Sequence, residues 1–267
     1  MNMSKRYSTI TLFAAFLFYS CHKIVTLKLN NAPVQIVIQG EVTNAAGPYT
    51  VTINQTVGFY ADNSFPAVSG AVVKISDNQG VTDSLTETSP GMYTTHTLQG
   101  SPGNTYTLSV FAQNESYSAV SAMPVQVVLD SVTFLTTSGF GQKRISAVAN
   151  FQDPAGIRND YQFLEYINGQ LFTKRIFIFE DRLSDGKYIS NTLRTDSSYL
   201  SIGDELEVKM YCIDANVYNY FYQLDQSSGS GAFNNTASPA NPASNINNGA
   251  YGYFSAHTTQ SKTVTVY

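Results

Sequence analysis

Cys21 is the residue best placed for a covalent reaction. It stands where an apolar run, residues 9–19 (TITLFAAFLFY), gives way to Ser20 and then to His22 and Lys23; Lys5 and Arg6 supply a short positive start before the run. A run of this length is too short to cross a bilayer as a helix, which takes about 20 residues. A charged start and a short apolar core read instead as a secretory signal. Ser20 is the small residue a signal peptidase needs near its cut, whereas Phe18 is bulkier than the Leu of a standard bacterial lipobox. Cleavage before Cys21 would leave its thiol to take diacylglycerol and its amine to take an acyl chain. Several chains hold a protein firmly at a membrane where one binds only marginally. The expectation is a lipoprotein signal peptide over residues 1–20 and a lipidated tether over 21–30. The alternative is a plain signal peptide with an incidental cysteine.

The remaining reactive side chains converge less. The second cysteine, Cys212, lies in ELEVKMYCID (205–214), where Leu206, Val208, Met210 and Cys212 share one face at period two and read as core. The histidines, His22, His96 and His257, have no second His or Cys at metal-ligand spacing. No Gly-x-Ser-x-Gly elbow or phosphate-cradling glycine loop occurs, and no pair of carboxylates is singled out for glycoside hydrolysis. Asp181 and Asp185 flank a turn from which carboxylate and backbone oxygens can hold a cation such as calcium. The competing reading pairs Arg182 with an acid and leaves the aspartates to shape turns. It is preferred, so no metal or other cofactor is expected. The chain has 18 Tyr and 16 Phe, able to stack on sugars, but no Trp, and Tyr218, Tyr220, Phe221 and Tyr222 encircle a single helix whose core side includes Phe221. The stretch around 238–252 is the best binding candidate. Pro239 and Pro242 restrict it; Asn241, Asn245, Asn247 and Asn248 supply donors and acceptors; Tyr251 and Tyr253 follow. Against this stands a loop packed on the body, its amides satisfying the backbone.

The elements that position these residues are mostly short strands. Apolar or alternating runs occur at 34–42, 49–53, 70–76, 81–86, 92–98, 105–112, 117–120, 131–135, 145–151, 161–167, 172–180 and 205–213, with 122–129 as a linker strand. Turn residues separate them, so that 71–86 reads as a hairpin about Asp77-Asn78-Gln79-Gly80. One helix follows its cap, Asp214, with Val217, Phe221 and Leu224 at i, i+4, i+7, and ends at 227–231. Residues 237–248 read as loop, and 251–254 and 263–266 as terminal strands. The fold class is mainly β: an N-terminal sandwich domain over 31–126 and a second β-rich domain with one short helix over 127–267. The run GMYTTHTLQGSPGNTYTLSV (91–110) resembles immunoglobulin-like or prealbumin-like modules of bacterial surfaces.

Charge narrows the partners. Of 15 Lys+Arg and 19 Asp+Glu, removal of residues 1–20 takes Lys5 and Arg6 and no acid, leaving 13 against 19 and a net charge of −6. No basic patch is available for phosphates, and no nucleic-acid partner is expected.

Three stretches together resemble one family: the leader ending in Cys21 with VQIVIQGEV soon after it, EVKMYCIDANVYNYFYQLDQ (207–226), and SPANPASNINNGAYGYFSA (238–256). The sequence is similar to Bacteroidota lipoproteins built on a domain of unknown function, often encoded beside TonB-dependent outer-membrane receptors. The resemblance implies a lipid-anchored protein of the outer membrane, with no enzymatic activity to carry over, and a TonB-dependent barrel as partner. Where many surface-displayed lipoproteins of that phylum carry acids after the lipidated cysteine, this chain has His22-Lys23-Ile24-Val25, so the outer and periplasmic faces both stay open. Asp83-Ser84-Leu85 and Asp130-Ser131-Val132 match the phylum's O-glycosylation pattern at Ser84 and Ser131. The expected function is a non-catalytic accessory in substrate capture or assembly. The alternatives are a free-standing glycan- or peptide-binding surface protein and a hydrolase.

Overall fold

A computed structural model describes residues 33–58, 61, 64–139, 142–194, 199–227 and 241–267. Cys21 and the tether lie outside the described residues, as does most of the 227–231 stretch expected to end the helix.

Period-two alternation makes the strands and chooses their buried face. In β1 (Ile36–Thr43), Ile36, Ile38, Gly40 and Val42 turn inward while Gln39 and Glu41 face out. The chain continues through β2 (Thr50–Gln55), β3 (Val72–Asp77), β4 (Thr82–Ser84), β5 (Thr86–Ser89), β6 (Met92–Thr94), β7 (Thr105–Ala112), β8 (Glu115–Ala122), β9 (Leu129–Gly139) and β10 (Gln142–Gln152). Then come β11 (Asp160–Ile167), β12 (Gln170–Leu171), β13 (Phe177–Glu180), β14 (Tyr188–Leu193), β15 (Glu205–Ile213), helix α1 (Ala215–Ser227) and β16 (Tyr251–Thr265). The protein is mainly β, and the strands of the described residues form three sheets.

The largest sheet runs β12-β11-β15-β16-β1-β2-β6-β5, with β13 sharing the β12 edge of β11. A four-stranded sheet, β4-β3-β7-β8, shares one hydrophobic cluster with its β1-β2-β6 part, including Ile38, Ile53, Ile75, Tyr93, Tyr106 and Leu108. A three-stranded sheet, β14-β10-β9, shares a second with its β11-β15-β16 part, including Phe151, Tyr161, Phe163, Val208 and Met210. The resemblance of 91–110 to sandwich modules has a physical content here. Tyr93 and Tyr106 are fully buried, and their hydroxyls tie loops to the body: Tyr93 donates to Val68 O and accepts from Ala71 N, and Tyr106 accepts from Ser101 N.

The hairpin and the capped helix form as read. Asp77 Oδ1 accepts from Gln79 N and Val81 N in the β3–β4 turn, and Gly80 there has φ +93°. Asp214 Oδ1 accepts from Asn216 N and Val217 N at the start of α1. Other expectations are corrected. Residues 251–254 and 263–265 are parts of one 15-residue strand, β16, which ends one residue short of the expected 266 and whose polar middle gave no apolar signal. Residues 123–128 form no strand, and Val125 and Val128 there face solvent. The run 172–180 is a strand only from Phe177, and β14 arises in a stretch with no clear alternation.

The strand β16 serves both clusters. Tyr251 to His257 pair in parallel with β1, and Thr258 to Thr265 pair antiparallel with β15. Phe254 and Ala256 pack in the first cluster, and Val266 follows in the second. Gly252 begins this strand at φ +97°, where a Cβ would lie 2.0 Å from Ile38 O. Only glycine permits that backbone approach.

Candidate functional site

The most concentrated set of chemical groups lies where β10 and β13 run out into loops. Asp153 directly follows β10, and Asp181 and Asp185 lie in the loop after β13; one carboxylate oxygen from each lies within 4.8 Å of the others. Asp153 and Asp181 are buried and Asp185 is exposed. The two loops are laced together. Gly186 N donates to Asp153 Oδ2 (3.0 Å), Asp153 N to Lys187 O (3.0 Å), and Gly156 N to Asp185 Oδ1 (2.8 Å). Asn159 N donates to Asp181 Oδ2 (2.8 Å), and the Tyr161 hydroxyl donates to Asp153 Oδ1. Burial, and then the bond to Asp153, push Tyr161 far above the ordinary phenol range. The sequence had singled out Asp181 and Asp185 but not Asp153 or Asn159. Both stand in a run of turn residues, FQDPAGIRND; the β10–β14 pairing carries Asp153 to the second loop, and the β11–β13 pairing carries Asn159 there. Arg182 does pair with an acid, Glu180 two residues before it; the Arg182 side chain points out to solvent, and Glu180 is half-buried. Beside the loop lies a surface groove of about 510 Å³, lined in part by Phe179, Arg182, Leu183, Lys187 and Tyr188.

The asparagine loop is engaged by the protein itself. Asn245 Nδ2 donates to Phe254 O (2.7 Å), and its Oδ1 accepts from Phe254 N (2.9 Å), so one side chain grips both backbone groups of a β16 residue. Asn247 accepts from Ser118 N (2.7 Å) and donates to Ser118 Oγ (2.9 Å). Asn248, at φ +56°, donates to Glu115 Oε2 and Ser116 O on β8. Ile246 sits buried between them. Asn241 is exposed, Tyr251 is half-buried, and Tyr253 packs on Tyr220 and Phe221 of α1, both centroids at 5.0 Å. Burial, with Glu41 nearby, pushes Tyr253 up to about 12.

Ser84 is exposed at the end of β4, and Ser131 is half-buried in β9. Asp83, beside Ser84, is buried; burial alone would raise its pKa, but N–H donors from His96, Thr97 and Leu98 hold it below the ordinary value. Cys212 is buried and free, on the face with Leu206, Val208 and Met210. One Ser–His contact exists in the interior: Ser255 Oγ lies 2.9 Å from His257 Nδ1. Both residues are buried, and the imidazole stacks on Tyr211 at 4.4 Å. Burial lowers His257 to about 4, so the ring is neutral at physiological pH and sealed from any substrate. Glu165, inward on β11, is also buried, and desolvation raises it to about 8.

These features define a β-rich body whose polar groups serve chiefly to lace loops to strands. The model of a domain of unknown function, DUF4249, matches residues 23–263, and the chain belongs to that family. No curated protein matches the chain. Among solved structures it is similar to a DUF4785 family protein from Legionella pneumophila subsp. pneumophila str. Philadelphia 1, at 14% identity over 67% of this chain and 52% of that one, with a TM-score of 0.29. It is also similar to the adhesin InvE of Yersinia pseudotuberculosis, at 16% identity over 66% and 55% of the two chains, with a TM-score of 0.23. The chain thus spans about half the length of these solved chains. No helix among the described residues is long and apolar enough to cross a membrane.

Proposed function

We propose that the protein is a non-catalytic lipoprotein of the outer membrane, held by lipid on Cys21, and an accessory to a TonB-dependent receptor in substrate capture or assembly. The observation that carries this reading is the position of Cys21, between a short apolar run with a basic start and the family's matched region, which opens at residue 23. A lipid there places a folded body beside the membrane on a short tether, within reach of a barrel's mouth. The absence of catalysis is supported by the fate of the reactive groups: the Ser255–His257 pair is sealed in the interior, and the asparagine loop is bonded to β8 and β16.

Two measurements test the proposal. Native protein should incorporate labelled palmitate and fractionate with the outer membrane, and Cys21→Ser should do neither. Immunoprecipitation from gently solubilised membranes should recover a barrel protein in stoichiometric amount. A Cys21→Ser protein that still fractionates with the membrane removes the anchor, and a precipitate without any barrel removes the accessory role.

A further inference from the structure

Asp153 and Asp181 are 1% and 2% exposed. Among the described residues no lysine or arginine forms an ion pair with either of them or with Asp185; Arg158 and Arg182 are turned to Asp160 and Glu180 instead. Taking an ionised carboxylate out of water is costly unless an opposite charge or a metal accompanies it. The N–H groups of Gly186 and Asn159 and the Tyr161 hydroxyl offset part of that cost. They do nothing for the repulsion among three carboxylates with oxygens within 4.8 Å. Burial, and the charges of Asp153 and Asp185, push Asp181 above the ordinary carboxylate range.

A separate observation points to a ligand at this place. Asn159 is 5% exposed, and its Oδ1 is buried without a hydrogen-bond partner. Its direction follows from register. β11 pairs with β13 through Asp160↔Glu180 and Tyr161↔Phe179, and the ladder continues one step, with Asp181 N donating to Asn159 O. Asn159 is therefore directly opposite Asp181 and, two residues before Tyr161, on the same face as the ring that reaches Asp153. Register thus places the Asn159 amide on the face that carries the acids.

We infer that Asp153, Asp181, Asp185 and the Asn159 side-chain oxygen form a calcium site that clamps the 153–159 loop to the 181–187 loop. All four donors are hard oxygens, with no His or Cys among them, which suits Ca²⁺ or Mg²⁺ rather than zinc or copper. The donors come from irregular loops, an arrangement that calcium's flexible shell of 6–8 oxygens accepts and magnesium's near-ideal octahedron does not. Backbone carbonyls and water complete such a shell, and Asp185, on the solvent side, gives the ion its way in. The loop so fixed carries Arg182, Leu183 and Lys187 along one side of the 510 Å³ groove, so the ion would set the shape of that groove.

The test is thermal unfolding of the full chain, purified in detergent, with CaCl₂ or EGTA. Calcium should raise Tm saturably up to about 10 mM, above the ~10⁻⁴–10⁻³ M range of extracellular calcium sites, and EGTA should reverse the rise. Asp181→Asn should abolish the calcium response, yet in EGTA it should melt no lower than wild type, because a repelled charge has been removed. Asp185→Asn, on an exposed side chain that bears little on folding, should raise the half-saturating calcium concentration by about 10-fold or more. A Tm unmoved by calcium, together with no retention of radioactive calcium at equilibrium dialysis, overturns the site. So does a full calcium response in both variants.

Discussion

Glu165 and His257 are two titratable side chains that folding strips of water in opposite senses. Glu165 sits among the apolar residues of the second cluster with Oε1 unbonded, and its pKa rises to about 8. The folded form therefore keeps a proton that the unfolded chain releases near 4.5, so stability is fullest below that value and is lost as pH climbs toward 8. His257 falls to about 4, so the unfolded chain takes up a proton near 6.5 that the folded one refuses, and stability is lost as pH drops from 6.5 to 4. Between about 4.5 and 6.5 the two slopes cancel; above 6.5 only that of Glu165 remains. Chemical denaturation across pH should thus show a plateau between about 4.5 and 6.5 and a decline above it. Glu165→Gln should remove the decline and stabilise the protein at pH 8 by several kcal/mol, with ~5 kcal/mol an upper bound at 1.36 kcal/mol per unit. An unchanged pH profile in that variant would mean that the carboxyl finds water or a partner.

At the scale of elements, β16 depends on its first residues. Gly252 holds φ +97° against Ile38 O, and Asn245 grips Phe254 from the preceding loop. Together they set the parallel register of β16 on β1, and with it which side chains face the first cluster. Gly252→Ala must move backbone against backbone, since a Cβ would come 2.0 Å from a carbonyl oxygen. A loss of roughly 3 kcal/mol or more is expected from urea denaturation, at the upper end of the cost of a forced positive φ. Ala at Gly249 is the control. That residue has φ +73° but open space around it, so only the strain applies and the loss should be near ~1 kcal/mol.

At the scale of the molecule, the two hydrophobic clusters share one strand. The described residues within 34–57 and 61–267 form one compact unit, and β16 hydrogen-bonds into the first cluster's β1 and the second cluster's β15. Gln260 adds a tie: Leu129 N donates to its Oε1, and its Nε2 donates to Val127 O, so the connection leading into β9 is held to the shared strand. Melting either half leaves β16 unpaired along half its length, so the two should unfold together. Ile38→Ala in the first cluster and Phe163→Ala in the second, each costing about 2–5 kcal/mol, should shift one and the same transition, monitored by far-UV and near-UV circular dichroism. Two separated transitions in either variant would show that the halves are independent.

The residues alone determined what lies within local reach. Alternation marked most strands, Asp77 and Gly80 marked a turn, Asp214 marked the start of the helix, and Cys21 stood out through its immediate neighbours. These are short-range signals, carried by periodicity and by side chains bonding their own backbone. Tertiary structure decided what depends on pairing across distance. It joined 251–254 and 263–265 into one strand through partners on both sides, although the segment between them is polar. It also gave the loop asparagines to backbone groups on β8 and β16. And it brought Asp153 and Asn159 to Asp181 and Asp185, because β10 comes into register with β14 and β11 with β13, and no local pattern encodes which strand a loop will meet.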